Sequence, residues 1–270
     1  MTLPQPPFTP YPDVDALLVE LMAGMQTVLG ERLLGLYLEG SLASGDFDFA
    51  SDIDFTAVVR DGGEDDGAPA FPEADFQALQ AMHDRLAQLD SPWAIQLEGF
   101  YLSPGALRRH DPAGGLWPNL ERGEGEHLKL VRLDASWDIH RHVLRERGIT
   151  LFGPDPRGLI DMVTPDQLRQ AMRPMLFDWG ARILAEPNLM GERGSQSYIV
   201  LTICRVLYTL ASGATSSKPA AARWALANLD PRWSGLIENA LIGRHNPNSP
   251  ILPGEISATL HFLRFAQEQY

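Results

Sequence analysis

From Asp13 onward, Val14, Leu17, Leu18, Leu21, Met22, Met25, Val28 and Leu29 recur at steps of three and four, which predicts an amphipathic helix stopped by Gly30. The apolar run LGLYL over 34–38 is cut off by Glu39-Gly40-Ser41 and predicts a buried strand meeting a turn. A second run, IDFTAVV over 53–59, follows Ser51-Asp52 and predicts a strand with polar residues at its entrance. Helical spacing returns with Phe76, Leu79, Met82, Leu86 and Leu89, and 93–102 predicts a third strand carrying Glu98. Trp137, Ile139, Val143 and Leu144 mark the buried side of another helix. Beyond Gly153-Pro154 the texture is helical almost throughout, over 166–185, 197–212, 219–229, 233–243 and 254–268, with Pro or Gly signals between. The pattern predicts an α+β fold: a mixed-sheet domain over 1–155, then an all-α helical bundle over 156–270.

Two segments fall outside this periodicity. Pro4, Pro6, Pro7, Pro10 and Pro12 favour an extended arm, and the acidic, Gly- and Pro-rich stretch 61–75 reads as a solvated loop. A length of 270 residues suits two lobes. With 22 Lys and Arg against 35 Asp and Glu, the formal charge of −13 repels polyanions, so nucleic acid is not an expected partner. A small cation, or a site that borrows positive charge from metal ions, remains compatible. The single cysteine, Cys204, can form no internal disulfide and reads as a small buried hydrophobe. The N-terminus has no basic, apolar leader, and no run reaches the roughly 18 to 20 apolar residues of a membrane helix. The expectation is a cytoplasmic monomer or weak dimer without a membrane partner.

The chemistry concentrates between residues 40 and 54. Asp52 and Asp54 lie two apart at the start of an apolar strand, so strand alternation turns both carboxylates to one face, where they can share a metal. Gly40-Ser41 follows a strand directly, and glycine lets backbone amides approach a phosphate. Glu98, flanked by Leu97, Gly99, Phe100 and Tyr101, is an acid within a strand, where a general base for a hydroxyl would give it a purpose. Taken singly, a Gly-Ser pair is more often a turn, an Asp-x-Asp a cap or solvated edge, and a strand glutamate a solvent-facing residue. Their order and spacing carry the signal.

That arrangement resembles the polymerase-β-like nucleotidyltransferase superfamily. Residues 198–225 (YIVLTICRVLYTLASGATSSKPAAARWA), together with Leu151-Phe-Gly-Pro154, look like the aminoglycoside adenylyltransferases acting on streptomycin and spectinomycin. The resemblance implies an N-terminal nucleotidyltransferase domain and a C-terminal helical domain closing a cleft for nucleotide and acceptor. It implies ATP as co-substrate, two Mg²⁺ ions held by Asp52 and Asp54, and Glu98 as catalytic base. Gly40, Ser41, Ser51, Arg205 and Lys218 would contact the nucleotide. AMP would pass to a hydroxyl of a small cationic, aminoglycoside-like acceptor, releasing pyrophosphate.

The acceptor positions match less closely. Trp117 lies in the region of the family's drug-gripping aromatic residue, with ordinary packing as its alternative. Asn188 stands where an aspartate is expected, and Glu192 approximates a second acidic position. A protein or another metabolite as AMP acceptor, and a non-catalytic nucleotide-binding or toxin-partner module, therefore stay open. His140 and His142, two apart on a helix, point to different sides and read as solvated or packing residues, and Asp46 and Asp48 as solvated loop charges.

Overall fold

The first periodic stretch folds as helix α1 (Pro12–Leu29), whose Val14, Leu17, Leu18, Leu21, Met22 and Met25 are buried. The chain preceding it is tied down by Asp15, whose carboxylate accepts the amides of Phe8 and Thr9, each at 3.0 Å. There follow β1 (Leu33–Leu38), the short helix α2 (Gly40–Ser44), β2 (Ile53–Val59), α3 (Glu73–Leu86), β3 (Leu97–Leu102), α4 (Pro104–Arg108), β4 (Leu116–Leu120), β5 (Lys129–Arg132), α5 (Trp137–Arg147) and β6 (Ile149–Phe152). In this computed structural model residues 7–60 and 71–270 are described; Pro4, Pro6 and the part of the acidic stretch over 61–70 lie outside them. The described chain divides into two units, Met1–Met162 and Val163–Tyr270.

The six strands of the first unit form one sheet in the order β5-β4-β3-β2-β1-β6. Only β2 and β3 run parallel; every other pairing is antiparallel. Because side chains alternate, each strand feeds two layers. Leu36, Leu38, Phe55, Ala57 and Tyr101 pack with α1 and α3, whereas Tyr37, Val58, Leu102, Trp117 and Trp137 form a second apolar cluster on the opposite face. The LFGP motif closes this unit. Gly153 has φ +93°, and a Cβ there would lie 2.4 Å from the Leu34 carbonyl, so only glycine admits this approach to β1. The next carbonyl, of Pro154, accepts the Tyr37 hydroxyl at 2.8 Å.

The predicted third strand starts at Leu97 rather than at 93, after a turn over the intervening residues. Strands β4, β5 and β6 carry no strong periodic signal, being four or five residues long, one containing Pro118 and another largely exposed. The first unit also runs past residue 155. Arg141 and Arg145 on α5 donate to the carbonyls of Asp161 and Ile160, fastening that segment to the sheet domain.

In the second unit the helix expected over 166–185 is broken into α6 (Pro165–Pro174), a π-turn at Met175–Trp179 and α7 (Gly180–Ala185). Pro174 lacks the amide needed to continue a regular ladder, which accounts for the widened turn. The central helix α8 (Arg193–Ser212) packs against α6, α9 (Lys218–Asn228), α10 (Ser234–His245) and α11 (Glu255–Gln269). Its polar start is buried: Arg193 pairs with Glu255, and Gln196 donates to Thr259 at 2.9 Å. Cys204 is fully buried, and burial pushes its thiol up to about 12. Among the described residues no helix is long and apolar enough to cross a membrane.

One buried group of the first unit sets an acid limit on its stability. His83 on α3 is 4% exposed, its Nε2 lies 2.7 Å from the Tyr101 hydroxyl, and burial pushes its imidazolium down to about 4. An unfolded histidine titrates near 6.5, so between those values the unfolded chain binds a proton that the folded chain refuses. Stability is therefore full above pH 6.5 and falls as pH drops toward 4, by about 3 kcal/mol from this group. Urea unfolding at pH 7 and pH 4.5 should show a smaller difference in His83→Gln, which keeps a neutral partner for Tyr101, than in the native chain.

Candidate active site

Strand register decides which acids meet. In the parallel pair, Asp54 of β2 stands opposite Glu98 of β3. On the other side of β2, Leu38 pairs with Phe55, and the Glu39 amide donates to the Asp54 carbonyl at 3.0 Å, placing Glu39 opposite Asp54. Glu39, Asp54 and Glu98 thus form a row across three adjacent strands spaced by about 4.8 Å. Asp52, two residues before Asp54, opens the same face. The structure brings together the three carboxylates named from the sequence and adds Glu39.

Each acid meets a different local answer to its charge. The Glu39 carboxylate is buried, accepting the Thr56 hydroxyl at 2.9 Å and facing His140 Nδ1 at 3.0 Å. The His140 ring stacks on Trp137 at 5.3 Å and 16°, so this residue belongs to the carboxylate face and is more than a solvated or packing side chain. Asp52 pairs with Arg122 at 3.8 Å. Asp54 is pushed up to about 8, first by burial and then by the charges of Asp52, Glu39 and Glu98, with His140 opposing. Burial and Asp52 also hold Glu98 above the ordinary carboxylate range, against the pull of Arg122 and His140.

Gly40 and Ser41 open α2 directly beside this row. Gly40 has φ +61°, and a Cβ on it would lie 1.8 Å from Asp54 Oδ2, so the turn approaches the carboxylate closely only because glycine has no side chain. The first-turn amides of a helix have no acceptors within it, and the buried Ser41 hydroxyl makes no hydrogen bond. Ser51 is also buried, but its hydroxyl donates to Asp48 Oδ1 at 3.1 Å; that carboxylate also accepts the Ala50 amide at 3.0 Å. Asp48 and Ser51 therefore shape the loop entering β2, and Asp48 is not simply a solvated charge.

Among the described residues no three His, Cys, Asp or Glu side chains gather closely enough to hold a metal unaided. Asp52 and Asp54 still suit a divalent ion such as Mg²⁺. They supply hard oxygen donors, and Asp54 sits among like charges that a cation would relieve. Mg²⁺ commonly completes its coordination with water and phosphate oxygens around one or two carboxylates.

The remaining expected positions are placed as follows. Trp117 on β4 is 7% exposed and packs in the second apolar cluster, the surroundings of an ordinary core residue. Asn188 and Glu192 are exposed on the second unit, the latter immediately before α8. Arg205 is half-buried on α8, and the Lys218 ammonium at the start of α9 lies 4.9 Å from the Tyr198 ring centre.

The sign of the Asp54 shift gives a stability test. An acid whose folded value lies above its unfolded one costs the folded state increasing stability as pH rises from about 4 to 8. In metal-free protein, Asp54→Asn should raise the unfolding free energy at pH 8 by about 1–2 kcal/mol, with little change at pH 4.5, measured by urea denaturation.

Known proteins resemble this chain across both units. The family described as aminoglycoside adenylyltransferase, C-terminal domain, matches residues 158–263. A spectinomycin 9-adenylyltransferase of Staphylococcus aureus is 23% identical over 232 residues, covering 83% of each chain. An aminoglycoside (3'') (9) adenylyltransferase of Escherichia coli is 22% identical over 271 residues, covering 93% of this chain and 94% of its own. The fold matches the crystal structure of a spectinomycin adenyltransferase from Enterococcus faecialis, solved with ATP and spectinomycin, at a TM-score of 0.68 and 14% identity. That match covers 94% of this chain and 98% of the other. Residues 158–263 carry the match to the aminoglycoside adenylyltransferase C-terminal domain, and across both units the chain is similar to aminoglycoside adenylyltransferases.

Proposed function

We propose that this protein transfers AMP from ATP to a hydroxyl of a small cationic acceptor of the aminoglycoside type and releases pyrophosphate. The convergence of Asp52, Asp54 and Glu98 on one face beside the Gly40-Ser41 turn carries this reading. The relatives are named as adenylyltransferases of spectinomycin and of aminoglycosides, and the matched crystal structure contains ATP and spectinomycin.

The parts divide the work. The Gly40-Ser41 turn receives phosphate oxygens, with the unpartnered Ser41 hydroxyl as one donor. Asp52 and Asp54 would hold Mg²⁺, which when bound would supply positive charge to the α-phosphate and to the pyrophosphate leaving group. Glu98 takes the proton from the acceptor hydroxyl as that oxygen bonds to the α-phosphorus and the bond to the pyrophosphate oxygen breaks. Its proton affinity, held above that of an ordinary carboxylate by burial and by Asp52, brings it closer to a base matched to neutral pH. Arg205 and Lys218 are further nucleotide-binding candidates, on the family resemblance alone. The excess of carboxylates and the formal charge of −13 favour a cationic acceptor.

Purified protein, Mg²⁺, ATP and a panel including spectinomycin and streptomycin should release pyrophosphate with at least one member. Glu98→Gln should lower kcat by about 100-fold or more while leaving KM for ATP within about threefold. Ser41→Ala should act mainly on KM for ATP. No pyrophosphate with any panel member would overturn the small-acceptor reading, and an AMP mass increment on a co-purifying protein would redirect it to a protein acceptor. ATP binding unchanged by EDTA and by Asp52→Ala would leave a passive nucleotide-binding module.

A further inference from the structure

Arg122 has no part in the roles above, yet its placement is specific. β4 pairs with β3 as far as Leu120, and the Gly123 amide then bonds to the Ile95 carbonyl at 2.9 Å. The backbone on both sides of Arg122 is thereby fastened alongside the entry to β3. Its own segment is acidic, with Glu121, Glu124 and Glu126 close in sequence. Lys129 meets Glu121 at 3.3 Å and Glu126 at 2.8 Å. The Arg122 guanidinium instead reaches across to Asp52 at 3.8 Å and to the Ala50 carbonyl at 3.4 Å, while its side chain stays 44% exposed.

An arginine beside a carboxylate that would hold a divalent ion does two opposed things. It offsets the carboxylate charge when no metal is bound, and it competes with the metal for the same oxygen. A guanidinium is also well shaped for phosphate oxygens. The geometry points to Arg122 as an exchangeable counter-ion: it neutralises Asp52 in the empty site and turns to the nucleotide's phosphate chain once a divalent cation takes Asp52. The inference rests on the nucleotidyl-transfer reading above and adds to it a phosphate-binding cation from the first unit.

Two titrations on the full chain test it, using Mn²⁺ as the probe. Mn²⁺ binding without nucleotide is followed by the paramagnetic resonance of the free ion. Binding of a non-hydrolysable ATP analogue in excess Mn²⁺ is followed by calorimetry. In Arg122→Gln, Mn²⁺ alone should bind about threefold tighter, because an exposed competing ion pair is lost. The analogue should bind about tenfold weaker, because a charge-assisted phosphate contact is lost. Arg122→Lys should fall between native and Gln in both. Opposite changes separate this role from simple damage to the fold, which would weaken both. Mn²⁺ binding that is unchanged or weaker in Arg122→Gln, or analogue binding that is unchanged, would overturn the exchange. A native chain that binds no analogue would overturn the nucleotidyl-transfer reading and this inference together, whereas native binding without the opposed shifts would remove the inference alone.

Discussion

Like charges crowded on one face of a sheet are the constraint to which this site answers. Glu39, Asp54 and Glu98 form a row across three neighbouring strands, with Asp52 at its edge. Carboxylates this close cannot all be ionised without compensation. The protein compensates each differently: a hydroxyl and an imidazole at Glu39, a guanidinium at Asp52, and a raised proton affinity at Asp54. Strain of this kind is the electrostatic form of preorganisation, since a cation entering the row finds charge already assembled.

The backbone makes that crowding possible. A parallel pairing is the one arrangement in which β2 and β3 begin at the same edge, so acids near both strand starts share a level. The antiparallel return of β1 then delivers the Gly40-Ser41 turn to the same place, where the missing Cβ of Gly40 leaves room for Asp54. The second unit follows another logic. Its central helix is apolar along most of its length, and its buried polar start is matched by partners on α11, an ion pair to Glu255 and an amide hydrogen bond to Thr259.

Much of this was legible in the amino-acid order because it depends on local rules. Period-two alternation put Asp52 and Asp54 on one face, and a Gly-Ser pair after a buried strand marked the turn. Glu98 stood out as an acid within an apolar run. Residues whose roles depend on distant pairing were not legible. Arg122 acquires its partner through the β3–β4 register, and β4 is a short strand interrupted by proline. His140 had a weak local signal, lying three residues after the buried Trp137, but its carboxylate is 101 positions away. Glu39 could have been noticed as an acid closing a wholly apolar strand; its pairing opposite Asp54 needed the register. Pro174 was visible in the sequence, yet whether it ends a helix or widens one turn is settled by packing.

The order of the strands has a consequence for synthesis. β1 lies inside the sheet, but its outer neighbour β6 consists of residues 149–152, more than a hundred positions later. The imidazole that answers Glu39 lies on α5, immediately before that strand. A chain emerging from the ribosome therefore carries an apolar, hydrogen-bond-hungry edge, and a Glu39 answered by the Thr56 hydroxyl alone, until its first 150 residues are out. The unit that holds the site is completed by its last strand, which places the greatest need for protection from aggregation on the nascent first half of the protein.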